Sequence, residues 1–275
     1  MPGYIHHIQW CVGNLGRTRK MLEEKYQFKV LSRRDDSNGE EIVLRSGQIT
    51  FLVSQRADRE VITRNSSEPV YPWLSCSCRE HQRHERDSVF NIALEVCDVD
   101  STAERMRVNG GKVLHTPKTL VTPEGSVRFA VISSPCNNVI HSIVNTRSFT
   151  GSFLPGFHDA EEADFDNDDQ EEALLSDIDH VTLVVNEGET APILDWYAKS
   201  CGMQRFQVAP DEDPEEGAVF EAAGMKLTAA DWLTEWMCRE DGVVWESADS
   251  GKAGFKLVIA EPLSNREDSH IHRYE

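Results

Sequence analysis

The stretch SDIDHVTLVV, residues 176 to 185, sets one histidine, His180, between two aspartates and a run of β-branched apolar residues. A neutral imidazole is the commonest protein ligand for first-row metals, and a strand can aim it at donors carried by other strands. The alternative is a strand-entry histidine bonded to a neighbouring carbonyl. Asp179 beside it reads as a flanking residue rather than a co-ligand, because adjacent strand residues face opposite sides. Cys76, Cys78, His81 and His84 in CSCREHQRH carry atoms that zinc accepts. They lack the paired Cys-x2-Cys knuckle and stand among Arg79, Arg83 and Arg86, so the segment reads as an exposed polar loop. The acid run HDAEEADFDNDDQEE, 158 to 172, offers hard oxygen donors without the spaced Asp/Gly/Glu pattern of a calcium loop, and reads as a solvated linker.

The elements that would position these residues recur in a fixed order. YIHHIQWCV (4 to 12) alternates into a strand, LGRTRKMLEEKYQ (15 to 27) follows as a helix with Leu15, Leu22 and Tyr26 on one face, and FKVLSRR, EEIVLRSG and QITFLVS read as strands, the last two joined at Ser46-Gly47. The order returns in VFNIALEV (89 to 96), a short helix at STAERMRVNG with Ser101 able to cap and Gly110 able to terminate, and the strands KVLHTP, SVRFAVIS and VIHSIVN. It opens a third time with DIDHVTLVV and the helix TAPILDWYAKSCG, where Thr190 suits the N-cap, Pro192 the first turn and Gly202 the position after the C-cap. MQRFQV, GAVFEAAG, MKLTAAD and FKLVIAEP read as its strands; a fourth unit is expected next, and the sequence ends at Glu275. The fold class is therefore α+β, built from repeated βαβββ modules. The expected division is a paired-module domain over 1–150, an acidic linker over 151–177 and an incomplete second domain over 178–275.

Composition excludes several functions. With 28 Lys+Arg against 47 Asp+Glu the net charge is -19, which repels nucleic acid and anionic membrane alike. No apolar run reaches transmembrane length, and no h-region or Arg-rich presequence follows Met1. Seven scattered cysteines suit reduced thiols and an intracellular site, mitochondrial or cytoplasmic.

Paired βαβββ modules are the architecture of the vicinal-oxygen-chelate superfamily. FLPGF at 153 to 157, then DIDHVTLVV and LDWYAKSCGMQRF, resemble the 4-hydroxyphenylpyruvate dioxygenase family, and VLRSG and TFLV resemble its divergent dioxygenase-like subgroup. The likeness runs from about residue 4 to residue 263 in matching order. It implies a non-heme Fe(II) dioxygenase of aromatic amino acid metabolism. The substrates would be an aryl 2-oxo acid such as 4-hydroxyphenylpyruvate and dioxygen, and the product of homogentisate or hydroxymandelate type. In that family one barrel holds iron through two histidines and a glutamate, the facial triad that leaves three sites open. His180 matches the first ligand. The other two positions would lie beyond Glu275, neither His270 nor His272 having the strand context of the second, so the 275-residue chain by itself is expected to be inactive.

The resemblance further implies that Glu221 and Ala230 stand where the dioxygenases carry a pocket serine and asparagine, which points to a changed substrate or product. In the first barrel His7, Asn91 and Ser142 occupy the three ligand-equivalent positions, a poor donor set for Fe(II), and that barrel is expected to be structural. A non-catalytic paralogue that binds a small aromatic acid or a partner subunit is the alternative, and a homodimer is compatible with both.

Overall fold

The computed structural model describes residues 4–36, 39–55, 88–135, 139–160, 177–184, 190–205, 218–222, 225–230, 243–247 and 254–259. The Cys76 to His84 cluster, the acidic residues 161 to 172, His270 and His272 lie outside them. The first module runs β1 (Tyr4–Val12), α1 (Leu15–Tyr26), β2 (Lys29–Asp36), β3 (Gly39–Ser46) and β4 (Ile49–Gln55). The second runs β5 (Ser88–Glu95), α2 (Val99–Val108), β6 (Val113–Thr122), β7 (Gly125–Ser133) and β8 (Ile140–Phe149).

Local chemistry sets the element ends. Asn14 caps α1 by accepting from the Arg17 N–H at 2.8 Å, and the helix closes on Gln27 in the left-handed region at φ 57. The cap of α2 is Asp98, which accepts from the Ser101 N–H at 3.0 Å. Ser101, read as able to cap from sequence, is instead inside the first turn, because the Asp98 carboxylate three residues earlier accepts from its free N–H. Gly47 turns β3 into β4 at φ 54, a conformation that disfavours residues with a Cβ.

These modules share one sheet in the order β6-β7-β8-β5-β1-β4-β3-β2, with the two-residue β9 (His158–Asp159) added beside β2. Each module contributes its strands in the sequence first, fourth, third, second, and the two meet where β1 and β5 pair antiparallel. The register there is symmetric: His7 faces Ala93, Ile8 faces Ile92 and Gln9 faces Asn91. Ile8 and Ile92 thus mark a local two-fold axis between the repeats.

The two faces of this sheet are different environments. Ile42, Leu44, Phe51 and Val53 pack under α1 and α2 with Leu15, Leu22, Val99 and Met106 in the main core. Their strand neighbours Val43 and Leu52 join Leu31, Phe129 and Val144 on the opposite, inner face, as the two-residue period requires. FLPGF ends up on that inner face: Phe153 and Leu154 are buried in the same cluster. Residues 158–160 continue along the edge, Ala160 donating its N–H to the Leu31 carbonyl at 3.2 Å. The first ten residues of the stretch read as linker are therefore packed against the first sheet.

The third module has the same plan. β10 (Asp177–Val184), α3 (Thr190–Cys201), β11 (Gln204–Arg205), β12 (Ala218–Ala222) and β13 (Met225–Ala230) again follow the order first, fourth, third, second, with β13 parallel to β10. FKLVIAEP, read from sequence as a strand of that module, instead forms β15 (Gly254–Ile259) on the other side of β10, hairpinned to β14 (Val243–Ser247). β15 takes the place beside β10 that β5 takes beside β1, but runs parallel where β5 runs antiparallel.

Helix α3 docks on the first sheet rather than standing apart from it. Ile193, Leu194, Trp196 and Tyr197 share the main core cluster with Ile8 and Met106. The Tyr197 hydroxyl meets His141 Nε2 at 2.9 Å, and Arg105 Nε donates to the Ser200 carbonyl. Among the described residues no helix is long and apolar enough to cross a membrane. Cys11 is disulfide-bonded, so the expectation of reduced thiols throughout does not hold there; Cys97 and Cys201 are free.

Phe153→Ala removes the largest side chain that the FLPGF segment places in the inner cluster, and is expected to destabilise the protein by about 3–5 kcal/mol, as buried Phe→Ala changes do. Chemical denaturation followed by tryptophan fluorescence measures this. A loss below about 1 kcal/mol would mean that Phe153 rests on the sheet without filling it.

Candidate functional site

Among the described residues three places bear on chemistry: the inner face of the paired modules, a cavity beside it, and the strand β10. On the inner face two of the three ligand-equivalent positions, Asn91 and Ser142, are consumed by one another. Asn91 donates to Ser142 Oγ at 2.8 Å and to Gln9 Oε1 at 3.1 Å, and accepts from the Ser142 N–H at 3.0 Å. Gln9 Nε2 donates to Ser54 Oγ at 3.3 Å, and Ser54 donates to Glu41 at 2.8 Å. Glu41 closes the chain with Arg34 at 3.2 Å, and the Arg34 guanidinium lies over the Phe157 ring, 5.9 Å from its centre. Every one of these polar residues is buried. A buried polar network that satisfies itself is rigid and leaves no donor directed at an ion.

His7 is fully buried beside this chain. Its Nδ1 lies 2.8 Å from His6 Nδ1, and the rings of both pack against Phe153 at 5.0 and 5.6 Å between centres. Burial, reinforced by Arg45, pulls the pKa of His6 down to about 4, and burial beside His6 holds that of His7 well below the ordinary value. Both rings are neutral at pH 7. His7 Nε2 is buried without a hydrogen-bond partner.

The cavity holds about 520 Å³. Its walls come from the start of β1 (Tyr4, Ile5, His6), the β3–β4 hairpin (Arg45, Gln48, Thr50), Thr146 and Phe149 of β8, residues 151 to 153, and Ile178 of β10. Leu31 of β2 completes the lining. Sequence reasoning missed the cavity, since its residues come from six separate segments and no motif joins them; the FLPG segment alone was singled out.

The third place is β10. The backbone of His180 pairs with Lys256 of β15, just past a register irregularity at Ile178. Val181, next along, is fully buried in the same cluster as Ile8, so His180 precedes a core valine on β10 as His7 precedes Ile8 on β1. Glu221 lies on β12 opposite Gln204 and Lys226, and Ala230 ends β13 opposite Val184. The fold thus brings all three predicted positions into one sheet, Ala230 on the strand beside β10 and Glu221 one strand further. Among the described residues no group of three or more His, Cys, Asp or Glu could hold a metal ion.

Comparison with known proteins follows the same lines. No family model matches the chain. It is 28% identical over 227 residues to the human 4-hydroxyphenylpyruvate dioxygenase-like protein, covering 81% of this chain and 56% of that one. It is likewise 28% identical to the 4-hydroxyphenylpyruvate dioxygenase of Aspergillus fumigatus over 98% of this chain and 62% of the other. The chain resembles the 4-hydroxyphenylpyruvate dioxygenases. It spans about half the length of the dioxygenase-like relatives it matches. In fold it is similar to a triple mutant of 4-hydroxymandelate synthase from Streptomyces coelicolor, with a TM-score of 0.61 at 21% identity over 83% of this chain and 62% of that one. A Mn(II)-bound glyoxalase from Novosphingobium aromaticivorans is similar at 0.54 and 9% identity over 94% and 82%. The α+β architecture of repeated modules is thus that of glyoxalase-like and dioxygenase-like structures.

The buried histidines give the fold a pH dependence. His141 bonds the Ile92 carbonyl and the Tyr197 hydroxyl, each at 2.9 Å, and burial pulls its pKa down to about 4. Between about pH 6.5 and 4 it is neutral when folded and protonated when unfolded, so stability falls as pH falls through that window. At pH 5 this single group costs about 2 kcal/mol relative to neutral pH. Glu95, raised by burial, works in the opposite sense in any variant that keeps it. Comparing urea midpoints at pH 7 and pH 5 in the native chain and in His141→Gln isolates the imidazole. The variant is expected to lose less stability on acidification; an equal loss in both would show that His141 is not the sensor.

Proposed function

We propose that the chain carries part of a 4-hydroxyphenylpyruvate dioxygenase-like Fe(II) oxygenase that acts on an aryl 2-oxo acid with dioxygen, and that His180 is one ligand position of its iron centre. The observation that supports this most directly is the near-complete coverage of the chain by a fungal dioxygenase of that name. The repeat equivalence of His180 and His7 adds to it. Glu221 and Ala230 are proposed as positions lining the substrate pocket. An oxygenase form containing a fourth module is expected to convert 4-hydroxyphenylpyruvate to a product other than homogentisate, and product analysis by mass spectrometry checks this.

Bound iron would supply the dioxygen chemistry, but the described residues do not by themselves fit it. They provide one imidazole position, and the residue paired with it in register is a lysine. A single neutral imidazole does not retain Fe(II), whose affinity at a facial triad comes from three converging donors, one of them anionic. No step of oxygen chemistry is therefore assigned to them. The second reading, a non-catalytic chain that binds a small aromatic acid, is favoured by the preformed cavity at the end of the first sheet. In the second sheet β11 and β14 are the outer strands, and pairing of such edges between two copies is the proposed route to a homodimer.

Anaerobic Fe(II) titration of the 275-residue polypeptide, with His180→Ala alongside, tests the metal reading. Sub-stoichiometric, weak loading and no oxygen consumption with 4-hydroxyphenylpyruvate are expected. Tight one-to-one loading that vanishes in His180→Ala would show that this chain completes the site from residues of its own or of a second copy.

A further inference from the structure

The cavity of about 520 Å³ has a composition that the fold alone does not explain. Its apolar wall is Leu31, Phe149, Phe153, Ile5 and Ile178, and its polar wall is Tyr4, Gln48, Thr50 and Arg45. In a protein of net charge -19 no carboxylate is among the described lining residues. Arg45 is a β3 residue whose register partners are Lys29 and Thr50, so its own strand neighbours offer no counter-charge. Its Nε is buried without a hydrogen-bond partner, and it has no ion pair among the described residues. Leaving a guanidinium N–H unpaired in a protein interior is costly, and such groups call for an explanation.

A carboxylate that acts on the lining residue Tyr4 is already engaged. Glu95 accepts from the Thr146 N–H at 2.9 Å and from its hydroxyl at 3.0 Å. That also removes the Thr146 hydroxyl from the donors a guest could use. His6, on the same wall, is neutral at pH 7, so it neither competes with Arg45 for an anion nor adds charge to it.

We propose that this cavity is a binding site for a small organic carboxylate with an aromatic or other flat apolar body. The carboxylate would accept from the Arg45 guanidinium, the fork geometry that planar anions favour. The body would lie between Phe149 and Phe153, in a volume typical of small-molecule sites. Of β10 the site uses Ile178 rather than His180, and it needs no metal. It agrees with the reading of the chain as a binder of aromatic acids but rests on Arg45 alone.

Phenylacetate and its neutral isostere phenylacetamide are the probes, followed by isothermal titration and by amide chemical shifts of Thr50 and Ser152 in the native 275-residue chain. Saturable one-to-one binding of phenylacetate is expected, with the amide at least about tenfold weaker because it cannot meet the guanidinium as an anion. Arg45→Met, checked for an unchanged native spectrum, should weaken phenylacetate by a similar factor and leave the amide unaffected, and His180→Ala should bind as the native chain does. Equal affinity for the two probes overturns the proposal using native protein alone, whatever the fate of the variant. So does an absence of saturable binding, or loss of binding in His180→Ala, which would make His180 rather than Arg45 the anchoring group. None of these outcomes depends on iron, so the oxygenase reading stands or falls separately.

Discussion

The antiparallel pairing of β1 with β5 about Ile8 and Ile92 is the constraint from which the rest of the molecule follows. It joins two βαβββ units head to head, puts both helices on one face, and forces equivalent residues of the repeats toward one another on the other. Gln9 and Asn91 meet across that axis, and once two amides are buried there each needs partners. Ser142, Ser54, Glu41 and Arg34 supply them in turn. The chain of bonds crosses six strands, so slipping any one by a residue would strand a buried polar group as well as turn out its apolar side chains. Removing one partner of the buried Arg34–Glu41 pair would leave the other charge uncompensated, the expensive way to lose such an interaction.

Much of this was legible in the sequence because the modules obey simple periods. Alternation found the strands of both N-terminal units, and the placement of Gly47, Gly110 and Gly202 at positive φ matches the turn and helix-end signals that glycine gives. What escaped was non-local. FKLVIAEP has the composition of a strand, but composition does not say on which side of β10 it pairs. FLPGF was legible as a motif and not as an inner-face plug, since only the curvature of the sheet brings Phe153 under Leu52 and Val144. The docking of α3 was illegible for a similar reason: Trp196 and Tyr197 look like residues of a local core, and their partner His141 is more than fifty positions away.

The candidate site divides the same way. His180 was singled out by residue type and strand context, and along β10 it precedes the core residue Val181 as His7 precedes Ile8 along β1. Its relation to Glu221 and Ala230 through one sheet could not have been read from spacing. Arg45 could not be found at all from sequence. A lone arginine in a strand is ordinarily a solvated edge residue, and only the approach of β1, β8, the FLPG segment and β10 encloses it. Electrostatics then makes it conspicuous, because in a chain with so large an excess of acids the Arg45 Nε is buried without a hydrogen-bond partner among the described residues.

We take the inner face of the paired modules to be structural rather than metal-binding, because Asn91 and Ser142 are engaged by hydrogen bonds and FLPGF packs against that face, leaving His7 Nε2 as the unpartnered atom among the three ligand-equivalent residues. Manganese(II) is the direct probe, being paramagnetic and the ion carried by one glyoxalase of similar fold. Amide resonances of Gln9, Asn91 and Ser142, recorded as Mn(II) is added in small excess, should keep their line widths relative to the rest of the protein. Selective broadening of those three at one equivalent would contradict the account, and would place an ion where the structure puts a closed network of hydrogen bonds.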